Sequence, residues 1–193
     1  MDNCKEIAMK LWQYGCSVSL GEEATKPYGM WIAETYGYEF VQQSESSASN
    51  PYIALKFSEQ YTRITPEDLV IFGWSHPSRN SWYNKHTNRW EHLNYIQQKK
   101  RSSALTGSVI DYIQNQLCEY TENVNDWYPK HIVETTCTLN NLKYLHVDCV
   151  PRMVDYLMPN KNKYIADHLH PNDLGHQQIY LLIKSKIDSI LYT

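Results

Sequence analysis

Asp68-Leu69-Val70-Ile71-Phe72-Gly73-Trp74 is a continuous apolar run closed by Ser75-His76-Pro77. The run does not alternate between apolar and polar residues, so a strand built from it meets apolar neighbours on both faces. That is the signature of a central strand in a parallel sheet. Upstream, Ile7 to Tyr14 reads as a first strand that runs into Gly15-Cys16-Ser17, followed by a helix begun near Pro27 and containing Trp31 to Tyr36. Glu39 to Gln42 reads as a short second strand, Ser44 to Asn50 as a polar loop, and Pro51 to Tyr61 as a helix with proline in its first turn.

Downstream, one or two helices are expected within Ser103 to Leu139, where Val109, Ile110, Ile113 and Leu117 recur at helical spacing. Leu142 to Val150 reads as another strand. Leu174 to Leu191 reads as a closing helix with Ile179, Leu182, Ile183, Ile187 and Ile190 on one face. Strands alternating with helices predict an α/β fold with a mainly parallel sheet covered on both faces. Sites in such sheets lie beyond the carboxyl ends of the strands, where Ser17, Ser47, Ser75 and the loop of Asp167 would converge.

The chain has 193 residues, which fits one domain over 1–193 with a core that needs no disulfide staples. Its five cysteines (Cys4, Cys16, Cys118, Cys137, Cys149) form no C-x-x-C pair, which favours reduced thiols over a disulfide framework or a zinc knuckle. No apolar stretch is long enough to span a bilayer, and Met1 to Glu6 lacks the features of a secretory signal, so a soluble cytoplasmic protein is expected. Sixteen tyrosines and the abundant asparagine fit an AT-rich genome, viral or low-GC bacterial.

Net charge is −3, unevenly spread. The segment 76–102 holds six basic residues against the single acid Glu91, leaving 12 basic and 20 acidic residues elsewhere. Trp82, Tyr83, Trp90 and Tyr95 are interleaved with those charges, a mixture that can stack on sugars and attract anions. The same segment also reads as a solvated loop with its aromatics packed on the domain. No glycine-rich phosphate loop is present, since Gly15 and Gly21 are not followed by the Lys-Ser/Thr pair that such a loop needs. Nucleotide binding therefore has little support; a nucleic-acid partner is disfavoured as well, and no membrane partner is expected.

Asp167-His168-Leu169-His170-Pro171-Asn172 places a carboxylate three residues before an imidazole, just ahead of the last helix. A serine hydroxyl becomes a nucleophile when an imidazole takes its proton, a carboxylate orients that imidazole, and fixed N–H donors hold the oxyanion. Ser17 at the first turn, His170 and Asp167 supply the three side chains. Asp167, His168, His170, Asp173 and His176 are also potential metal ligands, but their spacing matches no zinc pattern, and no metal or cofactor is expected. Cys16 reads as a small buried residue beside the nucleophile, and His176 as structural.

On these residues the chain resembles the SGNH hydrolases, the GDSL esterase/lipase family. Gly15-Cys16-Ser17-Val18-Ser19-Leu20-Gly21 is similar to the first family block in a Gly-Cys-Ser variant, and Asp167 to Asn172 with Gly175 to the last block. The resemblance implies a flavodoxin-like three-layer α/β/α sandwich and an O-acyl esterase with Ser17, His170 and Asp167 as its triad. Carbohydrate O-acetyl groups are the expected substrate class. It also implies oxyanion donors at Ser17, Ser47 and Ser75, where Ser47 stands in place of a glycine and Ser75 in place of an asparagine. Loss of one such donor typically costs about 100- to 1,000-fold in rate. Asn80, Asn84, His76 or Arg79 could replace the missing donor. His76, Arg79, Trp82 and Trp90, in the insertion at 76–102, would border the substrate. A catalytically degenerate module that binds a glycan or a protein is the rival expectation.

Overall fold

The computed structural model describes residues 8–93, 116, 118–166 and 170–192. Four strands, β1 (Lys10–Gly15), β2 (Glu39–Gln42), β3 (Leu69–Trp74) and β6 (Lys143–Asp148), form a parallel sheet in the order β2-β1-β3-β6. β3 is buried along its whole length, which is why its sequence carries no polar alternation. β1 starts at Lys10 because the buried Asp68, just ahead of β3, accepts the Lys10 N–H at 2.7 Å and the Trp12 indole N–H at 3.1 Å. One carboxylate thereby sets the register of the two central strands.

Side chains alternate across the sheet and separate two cores. Tyr14, Phe72, Trp74 and His146 stack along one face and meet Phe57 of α3 (Asn50–Ser58). The helix α4 (Glu119–Leu139) covers the same face, with Lys130 above the Trp74 ring. The opposite face packs on α2 (Tyr28–Tyr36), whose Gly29 is so close to β1 that a Cβ there would lie 1.6 Å from Gln13 Oε1. The closing helix α7 (Asp173–Leu191) packs against α2 and β6. Helices on both faces of a parallel sheet make this a flavodoxin-like α/β/α sandwich.

Three segments depart from the sequence reading. The insertion forms an antiparallel hairpin, β4 (Asn80–Asn84) and β5 (Arg89–Leu93), where a loop is expected. Asn84 Oδ1 accepts the His86 N–H at 2.9 Å and Asn88 takes the left-handed conformation (φ 54), which asparagine tolerates. The helix expected to reach Tyr61 ends at Ser58, and Tyr61–Arg63 forms a separate 3₁₀ turn. After β6 the chain makes short helical turns at Cys149–Met153, α5 (Val154–Leu157) and α6 (Lys161–Tyr164). Val109, Ile110, Ile113, Leu117 and Tyr95 lie outside the described residues. No helix among the described residues is long and apolar enough to cross a membrane.

Candidate active site

β1 ends at Gly15, paired in register with Gly73 of β3. Cys16 then leaves the strand in extended geometry and Ser17 is the first residue of the short helix α1 (Ser17–Leu20). Two glycines at the strand ends are required by Ser19, because a Cβ would lie 1.8 Å from Ser19 Oγ at Gly73 and 2.3 Å from it at Gly15. Ser19 Oγ is hydrogen-bonded to Tyr28 Oη at 2.8 Å and to Cys149 Sγ at 3.5 Å. Burial pushes the Tyr28 phenol well above its ordinary range and the Cys149 thiol up to about 12, so both stay protonated donors behind the turn. Ser17 itself is 2% exposed. Among the described residues neither its hydroxyl nor its N–H has a hydrogen-bond partner, which leaves both free for a ligand at the start of α1.

The loop after β2 follows the end of β1, since Gln43 N–H donates to Gln13 O at 2.8 Å and Glu45 N–H to Gly15 O at 3.0 Å. Ser47 takes φ 59, the left-handed conformation that glycine adopts without cost. The turn expected of a glycine is thus kept by a serine. Ser49 caps α3, and Asn50 Oδ1 accepts the Ser75 N–H at 2.8 Å. Ser75 Oγ and Asn50 Nδ2 are both buried without a partner among the described residues.

His170 is carried by a stem closed by an Ile165–Pro171 bridge and an Ala166 N–H to His170 O bond of 2.8 Å. Its Nε2 lies 3.3 Å from Glu22 and its Nδ1 3.6 Å from Glu23, two acids just beyond α1. Glu22 N–H donates to Ser17 O at 3.2 Å, so the imidazole docks on the turn that carries Ser17. Asp167 and His168 lie outside the described residues. Glu22 and Glu23 escaped the sequence reading, although two adjacent acids soon after Ser17 were a visible signal.

The start of α7 anchors this turn from below. Asp173 accepts the Thr25 N–H at 2.7 Å and the Lys26 N–H at 2.9 Å, and the Thr25 hydroxyl donates to its other oxygen at 2.7 Å. The Thr25 hydrogen bond first, then the Lys26 N–H, hold its carboxyl below the usual range. Asn172 caps α7 through Gly175 N–H at 3.0 Å. His176 is fully buried, stacked on Tyr28, and accepts the Tyr28 N–H at 3.2 Å. Burial lowers its pKa to about 4. Asp173 and His176 are thus engaged in structural bonds.

The hairpin carries a second serine–histidine–carboxylate chain. Ser81 Oγ is 2.7 Å from His92 Nδ1, His92 Nε2 is 3.1 Å from Glu45, and Glu45 also accepts the Tyr52 hydroxyl. Burial acts to raise the Glu45 pKa, but the bonds from Tyr52 and His92 outweigh it and hold it below the usual range. Ser49 N–H donates to Ser81 Oγ at 3.2 Å, so the chain joins hairpin to loop. Trp90 packs on Tyr52 and Tyr83, while Trp82 lies on the opposite face of the hairpin. His76 is bonded to Ser78 at 2.7 Å, and burial lowers its pKa. Arg79 is 7% exposed, and among the described residues its Nε and Nη1 are buried without a partner. Asn84 Nδ2 is committed to Glu91 at 2.6 Å, and Asn80 Oδ1 accepts the Ser81 N–H at 2.8 Å. Beside Ser75 a cavity of about 190 Å³ is lined by Pro77, Val150, Asp126, Lys130 and Asp148.

No family model matches the chain, and no curated protein matches it. Among solved structures it is similar to a member of the lipolytic G-D-S-L family from Veillonella parvula, at 11% identity over 92% of this chain and 97% of that one, with a TM-score of 0.47. A Lactobacillus plantarum protein is similar at 15% identity over 94% and 97%, with a TM-score of 0.47. A lipase/acylhydrolase from Enterococcus faecalis is similar at 12% identity over 94% and 96%, with a TM-score of 0.41.

Proposed function

We propose that this protein is a serine hydrolase of the SGNH type that cleaves O-acyl esters, with Ser17 attacking the acyl carbon, His170 moving the proton and Asp167 orienting the imidazole. The observation that carries this reading is Ser17 at the first residue of α1, with N–H and hydroxyl both unengaged among the described residues, while a separate stem docks His170 on the same turn. Attack by Ser17 Oγ forms a tetrahedral acyl adduct. His170 takes the hydroxyl proton and returns it to the leaving alcohol, and then activates water to release the acid. On this reading the Ser17 N–H would donate to the adduct's oxygen.

The cavity beside Ser75 offers room for one side of the ester, and a carbohydrate O-acetyl group is the substrate class we favour. The buried Arg79, whose Nε and Nη1 have no partner among the described residues, supports an anionic sugar, because a desolvated guanidinium is stabilised by a counter-charge. Trp82 and Trp90 occupy opposite faces of the hairpin, so stacking on one sugar ring would use one of them. Arg79→Met should raise KM for an acidic O-acetyl sugar and leave a neutral one unchanged.

A second reading, a binding module of the same fold without the reaction, is favoured by one observation. Among the described residues His170 meets Glu22 and Glu23, and no hydrogen bond joins it to Ser17. Treatment with a fluorophosphonate, which traps an activated serine, separates the two. Labelling at Ser17 that is lost in Ser17→Ala and His170→Ala supports the hydrolase. A folded protein that is never labelled, and that cleaves no aryl or sugar acetate, supports the module.

A further inference from the structure

Asn50 is fully buried at the first position of α3, and its amide is fixed in orientation. The end facing the Ser75 N–H at 2.8 Å must be the oxygen, because two donors would otherwise oppose each other. Nδ2 with its two N–H bonds is therefore the other end, and it is buried with no partner among the described residues. An unpaired buried donor costs about 1–3 kcal/mol and is rare in a folded protein. A side chain kept in that state at a strand end is poised for a ligand.

The strand ends locate it. Gly15 and Gly73 are paired, so Ser17 and Ser75 follow equivalent positions on neighbouring strands. The loop carrying Asn50 begins on the Gly15 carbonyl, through Glu45 N–H at 3.0 Å, and ends on the Ser75 N–H. It therefore crosses the two strand ends between which a Ser17 adduct would form. Resting on the hydrolase reading above, we infer that Asn50 is a catalytic residue whose Nδ2–H donates to the oxyanion, and that Ser75 positions it through its backbone N–H. The donor expected at Ser75 is thereby supplied from α3. The loop that leads to Asn50 passes through Ser47 in left-handed geometry.

Two measurements test the inference. Asn50→Asp keeps an acceptor for Ser75 N–H and removes the N–H donors. Turnover of p-nitrophenyl acetate should fall about 100- to 1,000-fold in kcat with KM little changed. In wild-type protein labelled with ¹⁵N-asparagine, the Asn50 side-chain NH₂ pair, assigned by its loss in Asn50→Asp or Asn50→Ala, should shift when a fluorophosphonate places a phosphonyl oxygen on Ser17. A folded Asn50→Asp enzyme with wild-type kcat overturns the inference while leaving the hydrolase intact. So does an NH₂ pair that does not move in the phosphonylated wild type, and this second readout decides if the variant does not fold. Wild-type protein that neither turns over nor labels removes the hydrolase reading and this inference together.

Discussion

His170 Nε2 lies 3.3 Å from the carboxylate of Glu22, five residues beyond Ser17 on the same turn. In a serine–histidine pair that nitrogen faces the hydroxyl, so on the proposed hydrolase reading Glu22 would compete with Ser17 for the imidazole. The contact is partly solvent-exposed and worth about 0.2–1 kcal/mol at most. Glu22→Gln should therefore speed fluorophosphonate labelling of Ser17 by up to about fivefold. A clear slowing would instead make Glu22 a member of the catalytic machinery.

Ser47 holds φ 59 with a side chain that disfavours it. The left-handed region costs a non-glycine residue about 1–2 kcal/mol, and glycine gives back part of that through its freer unfolded chain. Ser47→Gly should raise stability by about 0.5–1 kcal/mol in urea unfolding and leave ester turnover unchanged, since the backbone N–H stays in place. A destabilised variant would mean that the serine side chain contributes bonds that this geometry does not contain.

The Ser81–His92–Glu45 chain has the order of a catalytic triad, but its serine accepts the Ser49 N–H and sits on a strand that packs against α3. It works as a clasp between the hairpin and the loop carrying Ser47 and Asn50. His92→Ala should cost about 1–2 kcal/mol of stability through the lost hydrogen bonds. Peptide mapping after fluorophosphonate treatment should still find the label on Ser17. An adduct on Ser81 that disappears in His92→Ala would move the reactive centre to the hairpin.

What was legible in the sequence follows from how strongly burial marks a residue. β2 fell at the boundaries expected of Glu39 to Gln42, β3 began at Leu69, one residue after the expected Asp68, and α7 began at Asp173, one residue before Leu174. Continuous or helical apolar patterns report burial directly. The hairpin was hidden because Lys85, Arg89 and Glu91 blur the alternation of Trp82, Tyr83 and Trp90, and its turn uses Asn84 and Asn88 without glycine. As candidates, Ser17 and His170 could be picked out from neighbouring glycine, proline and asparagine. Asn50 could not, because it meets the Ser75 backbone across the sheet, and no local pattern encodes that contact. The same holds for Asp173 on Thr25 and Lys26.

His176 ties the α7 helix to the α2 helix by accepting the Tyr28 N–H, and burial lowers its pKa to about 4, with Asp173 opposing and His170 adding to the shift. A free histidine titrates near 6.5. Above that value the ring is neutral in both folded and unfolded chains, and folding takes up no proton. Between about 6.5 and 4 the unfolded chain binds a proton that the folded chain refuses, so stability falls as pH falls, by about 1.4 kcal/mol per unit. Summed over the window the loss is on the order of 3 kcal/mol, and below pH 4 this residue adds no further slope. His176→Gln keeps an acceptor within reach of Tyr28 and cannot titrate. Urea unfolding of both proteins from pH 7 to pH 4 should therefore show a shallower decline for the variant, with the two curves converging toward the acid end. Parallel curves would mean that the ring is protonated in the folded protein and that the α2–α7 contact tolerates its charge.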